Sequence, residues 1–253
     1  MNRRRLFTIA LVICVFALVS CAKKHVSAED ARQAEGYYML GVAFINQGDA
    51  TGALDELLKA VKLNPYDPDI HNALGLVYYS KEKYLKAIDH LKKAIELNPD
   101  HSDAHHNLGT VYVYQGRYDL AIREFETALS NDLYRNRAQT YNSMGYAYYK
   151  KRDYLKAEEY FNKCVEYDRL YILAYDGLGK VYIALERYED ARQILERALQ
   201  LRPVYPEAML DLGLVYLKMG KKDQAKALFQ KVVKVDPLGQ YGTRAQEFLD
   251  MIE

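Results

Sequence analysis

Few residues in this 253-residue chain have types and spacing suited to chemistry. His101, His105 and His106 form the one metal-like cluster, since His101 and His105 can share a helix face at i, i+4. Two observations argue for packing instead. His105 takes a recurrent position filled elsewhere by Tyr37, His71, Tyr141, Tyr175 and Met209, and His101 follows Pro99-Asp100, near a helix start. The sequence has no Gly-rich phosphate loop, nucleophile elbow or paired-cysteine zinc motif. Its acids, such as Glu158-Glu159 and Glu189-Asp190, are spread as solvated faces. The expectation is therefore no enzyme, no cofactor and no metal. Three cysteines are too few for a disulfide framework. Cys164 stands where most repeats carry alanine, which predicts a small buried core residue.

Cys21 is different. Met1 to Arg5 is basic, and Leu6 to Val19 is an apolar run broken only by Thr8, too short to span a bilayer comfortably. This predicts a secretory signal peptide over residues 1–20. Cys14 lies inside it. The ending Leu18-Val19-Ser20-Cys21 resembles the bacterial lipobox, which implies a thiol that takes a diacylglyceryl group as a thioether and a small Ser20 that admits the signal peptidase. Two or three acyl chains would hold the protein firmly where one binds only marginally. Residue 22 is Ala rather than Asp, so the inner-membrane retention signal of enteric bacteria is absent and the outer membrane is expected.

Beyond that segment the chain is half hydrophobic, which excludes a mostly disordered protein. With Arg3, Arg4 and Arg5 set aside, 32 basic residues face 34 acids, a net of −2 that gives no support to nucleic-acid binding.

A period of about 34 residues organises the remainder. Gly41, Gly75, Gly109, Gly145, Gly179 and Gly213 recur at intervals of 34, 34, 36, 34 and 34. Each follows Leu40, Leu74, Leu108, Met144, Leu178 or Leu212, and three residues later comes Phe44, Tyr78, Tyr112, Tyr148, Tyr182 or Tyr216. Alanine stands twelve after each glycine, and sixteen after comes Leu57, Leu91, Phe125, Phe161, Leu195 or Phe229. This pattern resembles the tetratricopeptide repeat over residues 35–238. It predicts an all-α, right-handed superhelical solenoid of six helix–turn–helix repeats plus a C-terminal capping helix in residues 239–253. Residues 21–34 are expected to form a lipidated N-terminus and short linker.

Turns are expected at Gln47-Gly48-Asp49, Gln115-Gly116-Arg117 and Met219-Gly220-Lys221, and all six prolines fall at repeat junctions. The third junction, Asp132 to Arg137, is two residues longer than its counterparts and should alter the local superhelical angle. Tyr241 to Ile252 reads as the cap, with Ala245, Phe248, Leu249 and Ile252 on one face.

In repeats of this kind the first helix of each unit lines the concave surface. Counted from the repeat glycine, the inward positions are three before and one, four and five after. They place Tyr38, Val42 and Ile45, then Asn72, Leu76 and Tyr79, then Val113 and Tyr114, then Asn142, Tyr146 and Tyr149, then Ile183, then Leu214 and Leu217 in a partner-binding groove. His106, Asp176, Lys180 and Leu210 fall on the same register. Relatives that clamp a C-terminal carboxylate use a Lys/Asn/Arg set. Here Met39, Ala73, Ser143 and Gly177 fill one of the usual Asn positions, with Asn107 the exception, so a tyrosine-anchored peptide or helix is the expected ligand.

The lipobox, the six repeats and the stretch Ala128-Leu129-Ser130-Asn131-Asp132-Leu133-Tyr134, followed by Ala138, Tyr141-Asn142 and Gly145, together resemble the type IV pilus pilotin lipoproteins (PilF/PilW/Tgl type), with Asp132 in place of their usual proline. That resemblance implies an outer-membrane lipoprotein, anchored through Cys21 and facing the periplasm. It would bind secretin subunits and promote their localisation and assembly into multimers. Two other assignments fit lipid and repeats alike: a periplasmic scaffold for peptidoglycan hydrolases, and a lipoprotein of the outer-membrane barrel-assembly machine.

Overall fold

The computed structural model describes residues 26–252. The stretch expected to be a signal peptide (residues 1–20, with Cys14) and Cys21 lie outside the described residues. Six helix pairs follow one another: α1 (Ala28–Asn46) with α2 (Ala50–Leu63), α3 (Pro68–Ser80) with α4 (Tyr84–Leu97), α5 (Ser102–Tyr114) with α6 (Tyr118–Ser130), α7 (Arg137–Lys150) with α8 (Tyr154–Tyr167), α9 (Ile172–Ala184) with α10 (Tyr188–Leu201), and α11 (Pro206–Lys218) with α12 (Lys222–Val235). A last helix, α13 (Gln240–Ile252), closes the stack. The described chain is thus an all-α solenoid of helix–turn–helix repeats. Among the described residues no helix is long and apolar enough to cross a membrane.

Helix starts follow local chemistry. Ser27, Asp49, Asp67 and Asp153 accept backbone N–H groups of the first turns of α1, α2, α3 and α8. Pro68 and Pro206 open α3 and α11, where a missing N–H costs nothing. α1 starts at Ala28, so helix occupies part of the stretch expected as linker; Ser27 caps it and Glu29 and Asp30 suit its first turn.

Within every repeat the first helix ends in the same turn. Two N–H groups reach back to the last turn, as from Lys83 to the Tyr78 carbonyl (2.8 Å) and from Glu82 to the Tyr79 carbonyl (2.9 Å). The turn needs one residue at positive φ. Gly48, Gly116 and Gly220 supply it in three repeats, while Glu82, Arg152 and Glu186 adopt φ of 58–62° in the others.

The repeat glycines are spacing devices. A Cβ added to any of the six would come within 2.5–2.7 Å of the side chain sixteen residues later. The alanines twelve residues after each glycine are fully buried beside this contact. Phe161 meets two glycines, Gly145 on α7 and Gly177 on α9. Leu74, Leu108, Met144, Leu178 and Leu212 are buried as the pattern requires, but Leu40 is 51% exposed because no described element covers that side of α1.

In three of the first helices the recurrent polar or aromatic position near the start ties down the junction before it. His71 and His105 ring nitrogens lie 3.0 and 2.9 Å from the Pro65 and Pro99 carbonyls, and the Tyr175 hydroxyl donates to the Arg169 carbonyl at 3.0 Å. At the longer third junction, Arg137 donates to the carbonyls of Leu129 and Asn131 (3.0 Å each), and Tyr134 is buried. The cap packs onto α12 as a further first helix would. Ala245 and Leu249 are buried, Phe248 stacks on Phe229 at 5.2 Å, and the Asp236 carboxylate accepts the N–H groups of Tyr241 and Gly242.

Candidate partner-binding groove

First helices of successive repeats meet one another, α1 with α3 and onward to α11 with α13, whereas second helices of successive repeats do not. The closer row of first helices forms the inner side of the stack. On it lie Tyr38, Val42 and Ile45 (α1), Asn72, Leu76 and Tyr79 (α3), Val113 and Tyr114 (α5), Asn142, Tyr146 and Tyr149 (α7), Ile183 (α9), and Leu214 and Leu217 (α11). Tyr114 is 60% and Tyr146 43% exposed, and the rest are half-buried.

The structure gathers some of these side chains and leaves others apart. Tyr79, Val113, Tyr114, Asn142 and Tyr146 line a cleft of about 530 Å³ between α5 and α7, together with Thr110, Tyr118 and Lys150. Asn142, Tyr146 and Tyr149 also line a second cavity, of about 220 Å³, bounded by α9 and α11. Tyr38, Val42, Ile45, Asn72 and Leu76 lie beyond the first cleft, and Ile183, Leu214 and Leu217 beyond the second. Asn72 accepts an amide hydrogen bond from Asn107 at 2.9 Å.

Three residues expected on the inner surface are instead buried: His106 (5% exposed), Asp176 (5%) and Leu210 (1%). They sit three before their glycines, where the next first helix covers them. His106 Nδ1, for example, lies 2.8 Å from the Thr140 hydroxyl of α7.

Tyrosines from second helices join these: Tyr118 lines the cleft, and Tyr84 and Tyr154 lie beside tyrosines of the first helices. Tyr84 lies 4.6 Å from Tyr114 between ring centres, Tyr79 meets Tyr114 edge-on at 6.1 Å, and Tyr154 lies 5.7 Å from Tyr149. The register of first helices alone misses them. Their signal is present nonetheless, as Tyr84, Tyr118, Tyr154 and Tyr188 all stand nine residues after a repeat glycine. Burial raises the Tyr79 and Tyr149 hydroxyls above the ordinary tyrosine value, so both remain neutral donors. Lys150 sits 5.2 Å over the Tyr146 ring. Rigid aromatic area with polar tips suits a peptide or helix with apolar side chains and free backbone groups.

The three histidines of the metal-like cluster turn to different partners. His101 pairs with Asp69 (3.0 Å), His105 with Glu124 (2.7 Å) and His106 with Thr140. Among the described residues no group of three or more His, Cys, Asp or Glu side chains is placed to hold a metal ion. Cys164 is fully buried, and burial pushes its thiol up to about 12.

At the C-terminal end of the groove, Lys180 Nζ bonds Asp176 Oδ2 and Glu207 Oε1, each at 2.5 Å. Burial alone would lower Lys180, but Asp176 and Glu207 outweigh it and hold the ammonium above the ordinary lysine value.

Tetratricopeptide repeat profiles match residues 66–133, 100–169 and 136–203 and again 182–247, and a TPR repeat profile matches 41–81. The chain belongs to the tetratricopeptide repeat family. No curated protein sequence matches it significantly. Among solved structures it is similar to PilF of Pseudomonas aeruginosa (TM-score 0.77, 20% identity, covering 87% of this chain and 99% of that one). It is also similar to PilW, described as a widely conserved type IV pilus biogenesis factor (TM-score 0.79, 15% identity, 84% and 98%). A third is YrrB, a TPR protein with an unusual peptide-binding site (TM-score 0.59, 20% identity, 76% and 97%). At these identities the likeness is one of fold. TPR repeats are characteristic of protein-interaction scaffolds.

Proposed function

We propose that this TPR protein acts by binding, capturing a partner segment in its tyrosine-lined groove, and that the partner is the secretin subunit of a type IV pilus channel. The carrying observation is the cleft between α5 and α7, where Tyr79, Tyr114, Tyr118 and Tyr146 come together and Tyr84 lies against Tyr114. The pilus assignment is supported by fold similarity to PilF and PilW along nearly their whole lengths and by the stretch around Asn131–Tyr134. In this proposal the lipid on Cys21 holds the protein at the periplasmic face of the outer membrane while the groove promotes multimer assembly.

The test is an immunoblot for heat- and detergent-resistant secretin multimers in cells with and without the gene. Loss of multimers with monomer retained is expected. Normal multimers would refute the secretin assignment and direct the search to peptidoglycan hydrolases or barrel assembly. Cys21→Ala should leave a folded protein that no longer partitions into detergent. Tyr146→Glu with Tyr149→Glu should weaken partner capture without loss of helicity.

A further inference from the structure

One edge of the solenoid carries a row of exposed apolar side chains that the core does not use. Each second helix ends at a cap residue, and two residues beyond that cap stand Tyr66, Asp100, Leu133, Leu170, Val204 and Leu238 in the six successive junctions. Leu133 is 88%, Leu170 68%, Val204 61% and Leu238 98% exposed. The turns hold them outward. The cap side chains of Asn131 and Asp168 accept the N–H groups of Leu133 and Leu170 at 3.0 and 2.9 Å, while the tyrosines that follow Leu133 and Val204, Tyr134 and Tyr205, are buried. The turn itself does not require an apolar residue, since Asp100 takes the same place with the same bond to Asn98 (3.1 Å). A single exposed leucine is ordinary on a protein surface, but four apolar residues in successive turns along one edge mark a contact.

Cations accompany the row. Arg135, Arg169 and Arg202 stand within two residues of Leu133, Leu170 and Val204, and all three are exposed. Two nearby acids are turned to the backbone: Asp168 accepts the Leu170 N–H, and Asp236 accepts those of Tyr241 and Gly242, while Asp132 is exposed. The first two junctions are acidic instead, with Asp67, Asp69, Asp100 and Asp103 in or just after them. The chain also leaves the solenoid on this side. α1 is paired with α2 through a short turn, so its start lies on the same edge as the junctions, and Cys21 is seven residues before Ala28. Ala28 stands thirteen residues before Gly41, whereas Pro68 stands seven before Gly75. The extra helical residues carry the start of α1 roughly 9 Å beyond the first turns.

We propose that the third to sixth junctions rest on a phospholipid surface. Leu133, Leu170, Val204 and Leu238 enter the boundary between headgroups and acyl chains, and Arg135, Arg169 and Arg202 meet lipid phosphates. A lipid surface fits better than a protein partner. The apolar residues stand on separate turns, with the polar Asn136 and Gln139 in the hollow between the third and fourth, so they offer no continuous apolar seam to a helix. A fluid interface accepts isolated side chains and supplies anions to the arginines. The long start of α1 keeps the acidic first turns away from those anions. The protein is then held at two points, by the lipid on Cys21 at one end of the edge and by the apolar turns at the other, which fixes the orientation of the groove relative to the membrane.

This placement rests on the proposal that Cys21 carries lipid, and the experiment reads the two separately. The protein as processed by cells is purified and reconstituted with vesicles of phosphatidylethanolamine and phosphatidylglycerol, and mass spectrometry of its N-terminal peptide reports acylation. Cys164 is fully buried, so an introduced cysteine takes a fluorophore, and the parent protein gives the background. Gln139→Cys labels the hollow between the third and fourth turns, and Gln115→Cys labels the opposite edge, between α5 and α6. Nitroxide-bearing lipids should quench the label at 139 and spare the label at 115. Leu133→Ser, Leu170→Ser and Val204→Ser together should abolish that difference with helicity retained, since all three side chains are exposed. Replacing Arg135, Arg169 and Arg202 by Gln should lower the ratio of inserted to free label by about fivefold for each arginine. Acylated protein with equal quenching at 115 and 139, or with no effect of the serine substitutions, overturns the lipid-contacting edge while leaving the Cys21 anchor intact, and points to a protein occupant. Selective quenching at 139 without acylation overturns the anchor and leaves the edge standing. Neither acylation nor selective quenching overturns both.

Discussion

Removing the imidazole of His106 should flatten the stability of this protein in mild acid. His106 is buried between α5 and α7, its Nδ1 2.8 Å from the Thr140 hydroxyl, and burial pushes its pKa down to about 4 from an ordinary 6.5, the Asp103 charge opposing only weakly. A histidine depressed on folding contributes stability that is present above pH 6.5 and is lost as the pH falls towards 4. With those two values, linkage gives a loss of about 1.8 kcal/mol between pH 7 and pH 5. His71 and His90 are also lowered, mainly by burial, and His105 is raised, since Glu124 and the Pro99 carbonyl outweigh its burial. All three are retained in His106→Gln, so they cancel in a comparison of the two proteins, and Gln can still donate to Thr140. The assay is urea unfolding followed by far-ultraviolet circular dichroism at pH 7, 6 and 5. With a slope of about 3 kcal/mol/M, the wild-type midpoint should fall by about 0.6 M more than that of the variant over this range. Hydrogen exchange should show the acid-induced opening first in α5 and α7, because each repeat is held only by its neighbours. Parallel midpoints in the two proteins would refute a neutral buried His106.

Three further outcomes follow from the packing. Gly177→Ala should cost about 1–3 kcal/mol by driving a methyl group into the Phe161 ring, read as a lower melting temperature. Adding Phe161→Leu, the residue type that faces the glycines of three other repeats, should recover part of the loss. Arg152→Gly should stabilise by about 1 kcal/mol in urea titrations, because Arg152 holds φ of 62° where Gly48, Gly116 and Gly220 serve in other repeats; a destabilised variant would contradict the turn geometry. With Cys14 and Cys21 replaced by alanine, Cys164 should resist a maleimide at pH 8 in the native protein and react at once in urea; rapid native labelling would contradict its burial.

The sequence alone determined the repeat architecture. A 34-residue period with glycine, an aromatic three later and alanine twelve later forces the same helix pair six times, because only small residues let the backbones approach and only a large apolar side chain fills the space opposite. Caps or prolines then marked the starts of α1, α2, α3, α8 and α11. Turns were legible only where glycine marked them. Glu82, Arg152 and Glu186 take the same left-handed conformation without a sequence signal, because closure of the helix pair around them imposes it. The groove was half legible. Register named Tyr79, Tyr114 and Tyr146, but only tertiary structure brought Tyr118 from a second helix into the same cleft and set Tyr84 against Tyr114. It likewise buried His106, Asp176 and Leu210, because exposure on an inner face depends on how closely the next first helix approaches. No period in one repeat encodes that distance. The cavity holding Asp176 and Glu207 was beyond sequence for the same reason: its members come from three repeats and meet only once α7, α9 and α11 are packed together.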